Sequence, residues 1–408
     1  TGHFHRVAGV TNINEVGRAL GLGVVASVVG GIFAWVMLAV LSPPLSAIAV
    51  KFGPFDIFAM TVVALSLIAA VSQGSLLAGL VSAAFGAMLS LPGIDPISGS
   101  IRLTFGFSSL DNGLTLLPVI LGMLVLGQVL IDCEDVLIRT KSGRAKARIS
   151  MHWRDITGHL MTYIRSSFIG TWIGILPGVG GTAASVASYS FAKAASKTPE
   201  KFGQGAEEGI IAAETANNAG TVGALVPLIT LGIPGSVITA VLLGAMVIHN
   251  LNPGPLLFAE NPDVAYTIIA GALAGNLAMF LIMVIATPFL AKLAHINKAY
   301  LLAPIVVFCM IGAFSVSSRF FDIGVMLVFA CLGYIMTKAR IPTGAFIIAY
   351  ILTPMAEQNL RSGLVIYDGS FLPLVTSPVS GILLAIAVLS LVWSLRSEWK
   401  MRKNRQVS

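Results

Sequence analysis

Apolar residues in this chain do not recur at the spacing of an amphipathic soluble helix or strand. They come in solid runs separated by short polar joints, and residues 20–41, 114–131, 264–290 and 376–395 are the longest of these. A helix rises so little per residue that about 20 consecutive apolar positions are needed to cross a bilayer core. Barrel strands would alternate apolar and polar positions instead, and these runs do not. Shorter runs at 55–72, 76–91, 301–316, 320–336 and 343–355 complete the series. The pattern predicts an all-α polytopic transmembrane bundle.

Composition agrees: 56% of the 408 residues are hydrophobic and 11% are charged. Soluble domains carry roughly 25% charged residues, enough to cover a surface that this chain cannot cover. The net charge of +7 would suit nucleic acid if it lay on one soluble face. Instead it gathers between apolar runs, at Arg139, Lys141, Arg144, Lys146, Arg148, Arg154 and Arg165, and in the tail from Arg396 to Arg405. Lys and Arg in short loops mark the cytoplasmic side. Loop 132–165 and the C-terminus are therefore expected inside, no nucleic-acid partner is expected, and 250–263, without Lys or Arg, falls outside. If 206–249 crosses once, parity requires 166–193 to enter and leave on the cytoplasmic side as a re-entrant hairpin.

Five segments follow: a polar start 1–19, helices 20–131, a basic loop 132–165, a broken-helix core 166–260, and C-terminal helices with a basic tail 261–408. Cys133, Cys309 and Cys331 form no C-x-x-C pair and are expected to be reduced packing residues without a metal.

Two motifs interrupt apolar helix: Leu176-Pro177-Gly178-Val179-Gly180-Gly181-Thr182 and Leu231-Gly232-Ile233-Pro234-Gly235-Ser236. Proline removes a donor and glycine permits left-handed backbone, so each motif breaks the helix. Thr182 and Ser236 are expected to cap the helices that resume. An exposed helix start presents free amides and a partial positive charge, which suits an anion. Paired breaks of this kind point to a transporter binding site, although a single Pro-Gly can be a simple kink.

Gly178, Val179, Gly180, Gly181, Thr182, Gly235 and Ser236 are therefore candidate substrate contacts, together with the amides of Asn217 and Asn218 between the breaks. Glu214, one turn earlier, and Thr230, near a helix end whose carbonyls suit a cation, are candidates for ion coupling. Glu214 has a plainer reading as part of a solvated helix. Gly170-x-x-x-Gly174 and Gly271-x-x-x-Gly275 read as helix contacts, and Asn276 as an interhelical hydrogen bond. With no H-E-x-x-H, G-x-S-x-G or Walker A string, neither enzyme chemistry nor a bound cofactor is expected.

From Gly174 to Phe258 the chain resembles the large membrane subunit of the tripartite tricarboxylate transporters. The resemblance rests on Pro-Gly-Val-Gly-Gly at 177–181, Ser-Lys-Thr-Pro-Glu-Lys-Phe-Gly at 196–203, Glu-Thr-Ala-Asn-Asn-Ala at 214–219, Leu-Gly-Ile-Pro-Gly-Ser at 231–236 and Pro-Gly-Pro at 253–255. It implies a bacterial inner-membrane protein with a small membrane subunit as partner. It also implies a periplasmic binding protein that delivers a di- or tricarboxylate, and uptake driven by Na⁺ or H⁺ without ATP. The alternative is a channel or scaffold with no solute site of its own. That family looks internally duplicated, so a further half-repeat of roughly a hundred residues is expected upstream of Gly17, as paired repeats build one site.

Overall fold

The computed structural model describes residues 13–71, 76–95, 97–138, 157–177, 179–293 and 299–407. Gly178, the polar start to residue 12 and the body of the basic loop, 139–156, lie outside the described residues. Among those described, five helices are long and apolar enough to cross a membrane: Arg18–Ala49, Leu116–Glu134, Pro262–Ala286, Phe320–Lys338 and Pro378–Arg396. The helical polytopic bundle predicted from the runs is what forms.

The chain divides into two compact units. Unit 1 takes 1–50, 141–239 and 252–296; unit 2 takes 51–140, 240–251 and 297–408.

Unit 1 is built around a helix of small residues. Helix α1 (Ile13–Ala49) outruns its predicted span, because Pro43 and Pro44 are accommodated within it. In unit 2, α2 (Pro54–Val71), α3 (Leu76–Leu89), α4 (Leu116–Ile120) and α5 (Gly127–Ile138) follow. The chain returns to unit 1 as α6 (Leu160–Ile175), α7 (Gly180–Ala195), α8 (Glu207–Gly223) and the short α9 (Leu225–Leu231). Helix α10 (Val237–Ile248) begins there, and the long α12 (Pro262–Leu293) ends it after a single turn, α11 (Leu257–Glu260).

Helix α8 packs against α1, α6 and α7. The contacts are close because glycines face backbone. A Cβ on Gly170 would lie 2.6 Å from the Ala216 carbonyl oxygen, and one on Gly223 would lie 2.8 Å from that of Thr171. Small residues let helices approach this closely where lipid gives no hydrophobic drive for association. The Gly170/Gly174 reading therefore holds. Among the described residues Gly271 and Gly275 do not pack as expected, since a Cβ at either would meet nothing within 4 Å. Asn276 does bridge helices, donating to the Val28 carbonyl at 3.2 Å. Trp35 donates to Ile269 O across the same pair at 2.9 Å.

In unit 2, α13 (Ala299–Ser317), α14 (Phe320–Lys338), α15 (Thr343–Ile366), α16 (Leu372–Thr376) and α17 (Pro378–Val407) join α2 to α5. Helix α15 continues 11 residues past the predicted end at Met355, carrying Glu357 and Arg361 on an ordered scaffold. The predicted span 114–131 is not one regular helix, because Leu121–Leu126 between α4 and α5 is π-helical. The wider turn places Gly122 and Gly127, five residues apart, both against α14. A Cβ on Gly122 would come 2.9 Å from the Phe329 Cβ, and one on Gly127 3.3 Å from the Gly333 carbonyl carbon. Of the cysteines, Cys309 is buried and Cys133 and Cys331 are exposed, all free.

Candidate functional site

The first break turns a helical hairpin in unit 1. Helix α6 stops at Ile175, and α7 starts at Gly180, which takes a left-handed φ of 69°. The second break lies between α9 and α10. Gly232, also left-handed at φ 71°, ends α9 and donates to Leu228 O at 3.0 Å, the usual left-handed helix stop.

The two breaks meet. A Cβ on Gly180 would touch the Ser236 Cβ at 3.3 Å, and one on Gly235 would stand 2.9 Å from the Gly174 carbonyl oxygen. Gly181 closes the gap to α8, where its Cβ would lie 2.7 Å from Asn217 Oδ1 and 2.8 Å from Thr221 Oγ1. The close approach leaves no room for side chains at 180, 181 or 235, so backbone amides are the groups these positions can present.

Two helix starts thus stand beside α8, and they are finished differently. Ser236 caps α10 as expected: its Oγ accepts from the Thr239 amide at 3.3 Å, while its own amide donates to Thr239 Oγ1 at 2.8 Å. This is a reciprocal capping box with threonine in the place of the usual acid. At α7 the expectation fails. The cap residue is Val179, with no side-chain bond, and Thr182 is the third residue of the helix with its side chain exposed. Left-handed Gly180 starts the helix with no need for a hydroxyl. The first amides of α7 therefore lack intrahelical acceptors and have no side-chain cap.

Helix α8 supplies the polar component. Its buried positions are Gly, Ala, Ile and Thr215. Glu214, Asn217, Asn218 and Thr221 are half-buried and follow one another at helical spacing, forming a stripe on one face. Asn218 Nδ2 reaches its own helix at Glu214 O, 3.4 Å away. Thr221 Oγ1 donates to Asn217 O at 2.9 Å, and the Asn217 carboxamide makes no hydrogen bond among the described residues. Glu214 forms no ion pair among them either. Thr230 is separate in character: fully buried, its hydroxyl donates to Val226 O at 2.7 Å.

Residue reading thus anticipated Gly180, Gly181, Asn217, Gly235 and Ser236, which come together. It missed Thr221 and Thr239. Both were legible in principle, Thr221 at i+4 from Asn217 and Thr239 at the third position after a cap. Among the described residues no group of three His, Cys, Asp or Glu side chains is placed to hold a metal.

Broken helices whose starts meet beside a polar stripe, in a chain with helices long enough to cross a membrane, are a feature that membrane transport proteins share. Residues 11–348 match the tripartite tricarboxylate transporter TctA family, and the chain belongs to that family as a membrane transporter component. It is 32% identical over 388 residues, 94% of this chain and 77% of the relative, to an uncharacterised 52.8 kDa protein in the TAR-I ttuC' 3' region of Agrobacterium vitis. It is 34% identical over 233 residues, 56% of this chain and 96% of the relative, to an uncharacterised protein in the TAR-II ttuC' 3' region of the same organism. No solved structure matches it.

Proposed function

We propose that unit 1 carries one side of a carboxylate-binding site in an ion-driven uptake system. Small di- or tricarboxylates would be received from a periplasmic binding protein, with a small membrane subunit as partner. The observation that carries the reading is the contact of Gly180 with Ser236 beside Asn217 and Thr221. Free amides at the start of α7, Val237 and Ile238 amides beyond the Ser236 cap, and the Asn217 carboxamide supply donors for a carboxylate without a fixed cation. Helix-start amides suit anions for the reasons of dipole and unsatisfied donors. With no arginine or lysine on the α8 stripe, a co-transported Na⁺ or H⁺ would offset substrate charge, and Glu214 is the acidic group nearest to hand.

The orientation proposed puts loop 132–165 and the C-terminus in the cytoplasm of a bacterial inner membrane. Within each unit, contacts support the pairing of ends that this count implies. In unit 1, Arg18 pairs with Glu207 at 2.9 Å, and His159 Nε2 lies 3.5 Å from the same carboxylate, all three assigned inside. In unit 2, Glu134 binds Tyr334 and Lys338 at the inner end, and loop 92–113 binds α15 at the outer end.

Uptake of labelled carboxylates into cells expressing the transporter tests the site. Asn217→Ala is expected to lower uptake about tenfold or more, the loss of one hydrogen bond to a charged group, and Ser236→Ala to lower it by loosening the start of α10, with membrane insertion intact in both. Wild-type uptake in both variants overturns the assignment. Saturation with substrate, and dependence on an imposed Na⁺ or H⁺ gradient, separate a carrier from a channel or scaffold.

A further inference from the structure

Helix α9 ends inside unit 1 with carbonyls that no donor answers. The last carbonyls of a helix ordinarily look about four residues on for an amide. Here Gly232 donates to Leu228 O at 3.0 Å, and Ile233 turns its amide back to Pro227 O at 3.2 Å. Pro234, four residues on from Thr230, has no amide hydrogen to give. The carbonyls of Ile229 and Thr230 are thus without a donor among the described residues, and both residues are fully buried.

A carbonyl from another segment is turned onto the same end. A Cβ on Gly232 would stand 2.7 Å from Pro253 O, which also has no donor among the described residues. Gly232 at φ 71° and Gly254 at φ 144° allow this approach, in backbone that other residues rarely adopt. Helix α1 packs against α9 and brings hydroxyls to it. It runs in step with α8, Ala26 packing with Ile211 and Gly30 on the Thr215 backbone, and the same step carried forward sets Ser46 level with Leu231. Buried Ser46 donates to Pro255 O at 2.7 Å, which leaves its lone pairs free. Ser42, one turn earlier on the same face, is fully buried, and its hydroxyl has no partner among the described residues. Carbonyl dipoles that bring their negative ends together in apolar surroundings repel one another, and unsatisfied groups there are costly.

We infer that the end of α9 seats a small monovalent metal cation, held by the Ile229, Thr230 and Pro253 carbonyls and by the hydroxyls that α1 supplies. Its role in coupling rests on the ion-driven uptake proposed above. Every group in the set is a neutral oxygen, and none takes up a proton near neutral pH, so the chemistry selects Na⁺ over H⁺. A water has two hydrogens to give, fewer than the carbonyls to be answered, whereas a cation meets them all. The free Val237 and Ile238 amides lie across the same break, so cation and carboxylate would meet opposite ends of one interrupted helix.

The test follows thermal unfolding of the purified chain in detergent, without carboxylate, as NaCl replaces choline chloride at constant ionic strength. Na⁺ is expected to raise the midpoint saturably, by about 5 °C at a hundred times its Kd. Ser42→Ala and Ser46→Ala are each referred to their own midpoint in choline. Loss of an oxygen ligand is expected to raise the half-effective Na⁺ concentration about tenfold, and a rise in either variant supports the seat. A parent midpoint that does not respond to Na⁺ overturns the proposal, and so does an unchanged half-effective concentration in both variants. Since no carboxylate is present, either failure leaves the uptake test of Asn217 and Ser236 standing, and failure of that test leaves this result standing.

Discussion

Two regions of this molecule order chain ends that lie outside regular helix, and they do so by opposite means. Loop 92–113 of unit 2 is tied by charge: Asp95, Arg102, Glu357 and Arg361 satisfy one another across 266 residues of sequence. The breaks of unit 1 are tied by shape, with glycines 174, 181 and 235 pressed onto backbone and Gly180 onto the Ser236 side chain. In the first region the polar capacity is used up internally. In the second, helix-start amides and the Asn217 carboxamide are left over, and unused polar capacity in an apolar bundle is what a solute can occupy. The difference separates an anchor from the proposed site.

The sharpest way to break the comparison is to add volume to the glycine contact. A Cβ on Gly174 would lie 2.6 Å from the Gly220 Cα. Gly174→Val should therefore destabilise unit 1 by about 3 kcal/mol, the upper range for overpacking. Thermal unfolding in detergent would show it, and an unchanged midpoint would mean the contact is loose. Next in size is the cap. Ser236→Ala removes the acceptor of the Thr239 amide and should cost about 1 kcal/mol, read from the same unfolding curve.

The charged anchor responds to acid. Asp95 is held well below the usual carboxylate range, first by the Ser98 amide and then by Arg361, and Glu357 is lowered chiefly by its bond to Arg102. A depressed folded pKa gives stability that is complete above the unfolded value, near 4, and is lost as pH falls below it. Amide protection of residues 97–110 should thus be flat from about pH 8 to pH 5 and decline below about 4. Protection that fell with rising pH would contradict the ring. The smallest effect is expected at Asn217→Ala, which should shift stability by less than about 0.5 kcal/mol because its carboxamide holds nothing in place. A large loss of stability there would make Asn217 an anchor and not a site residue.

How much of this could be read in the sequence follows from how local each signal is. The breaks at Pro177 and Pro234 were plain, because proline and glycine act on their own backbone. Their meeting followed from position, since both flank α8. Thr182 was misplaced by a rule that is sound for Ser236. A left-handed glycine at 180 started the helix two residues before the hydroxyl that was expected to start it. The charged ring was illegible, since Arg102 and Glu357 are 255 residues apart and a lone ionisable residue near a span end reads as a membrane-exit charge. The Gly271 and Gly275 spacing carries the signature of a contact without a partner among the described residues. A motif specifies what a surface is suited to meet and not whether it is met.

The π-helical segment Leu121–Leu126 fixes the rotational phase of everything after it. An α-helix advances about 100° per residue, so the one residue absorbed by that wide turn sets which way α5 faces. Relaxing all six residues to α-helix would swing Glu134 roughly a quarter-turn from Tyr334 and Lys338, whereas deleting one residue along with that change would keep it facing them. This end of unit 2 is in this sense a combination lock, with its setting stored about two turns away from the residues that engage.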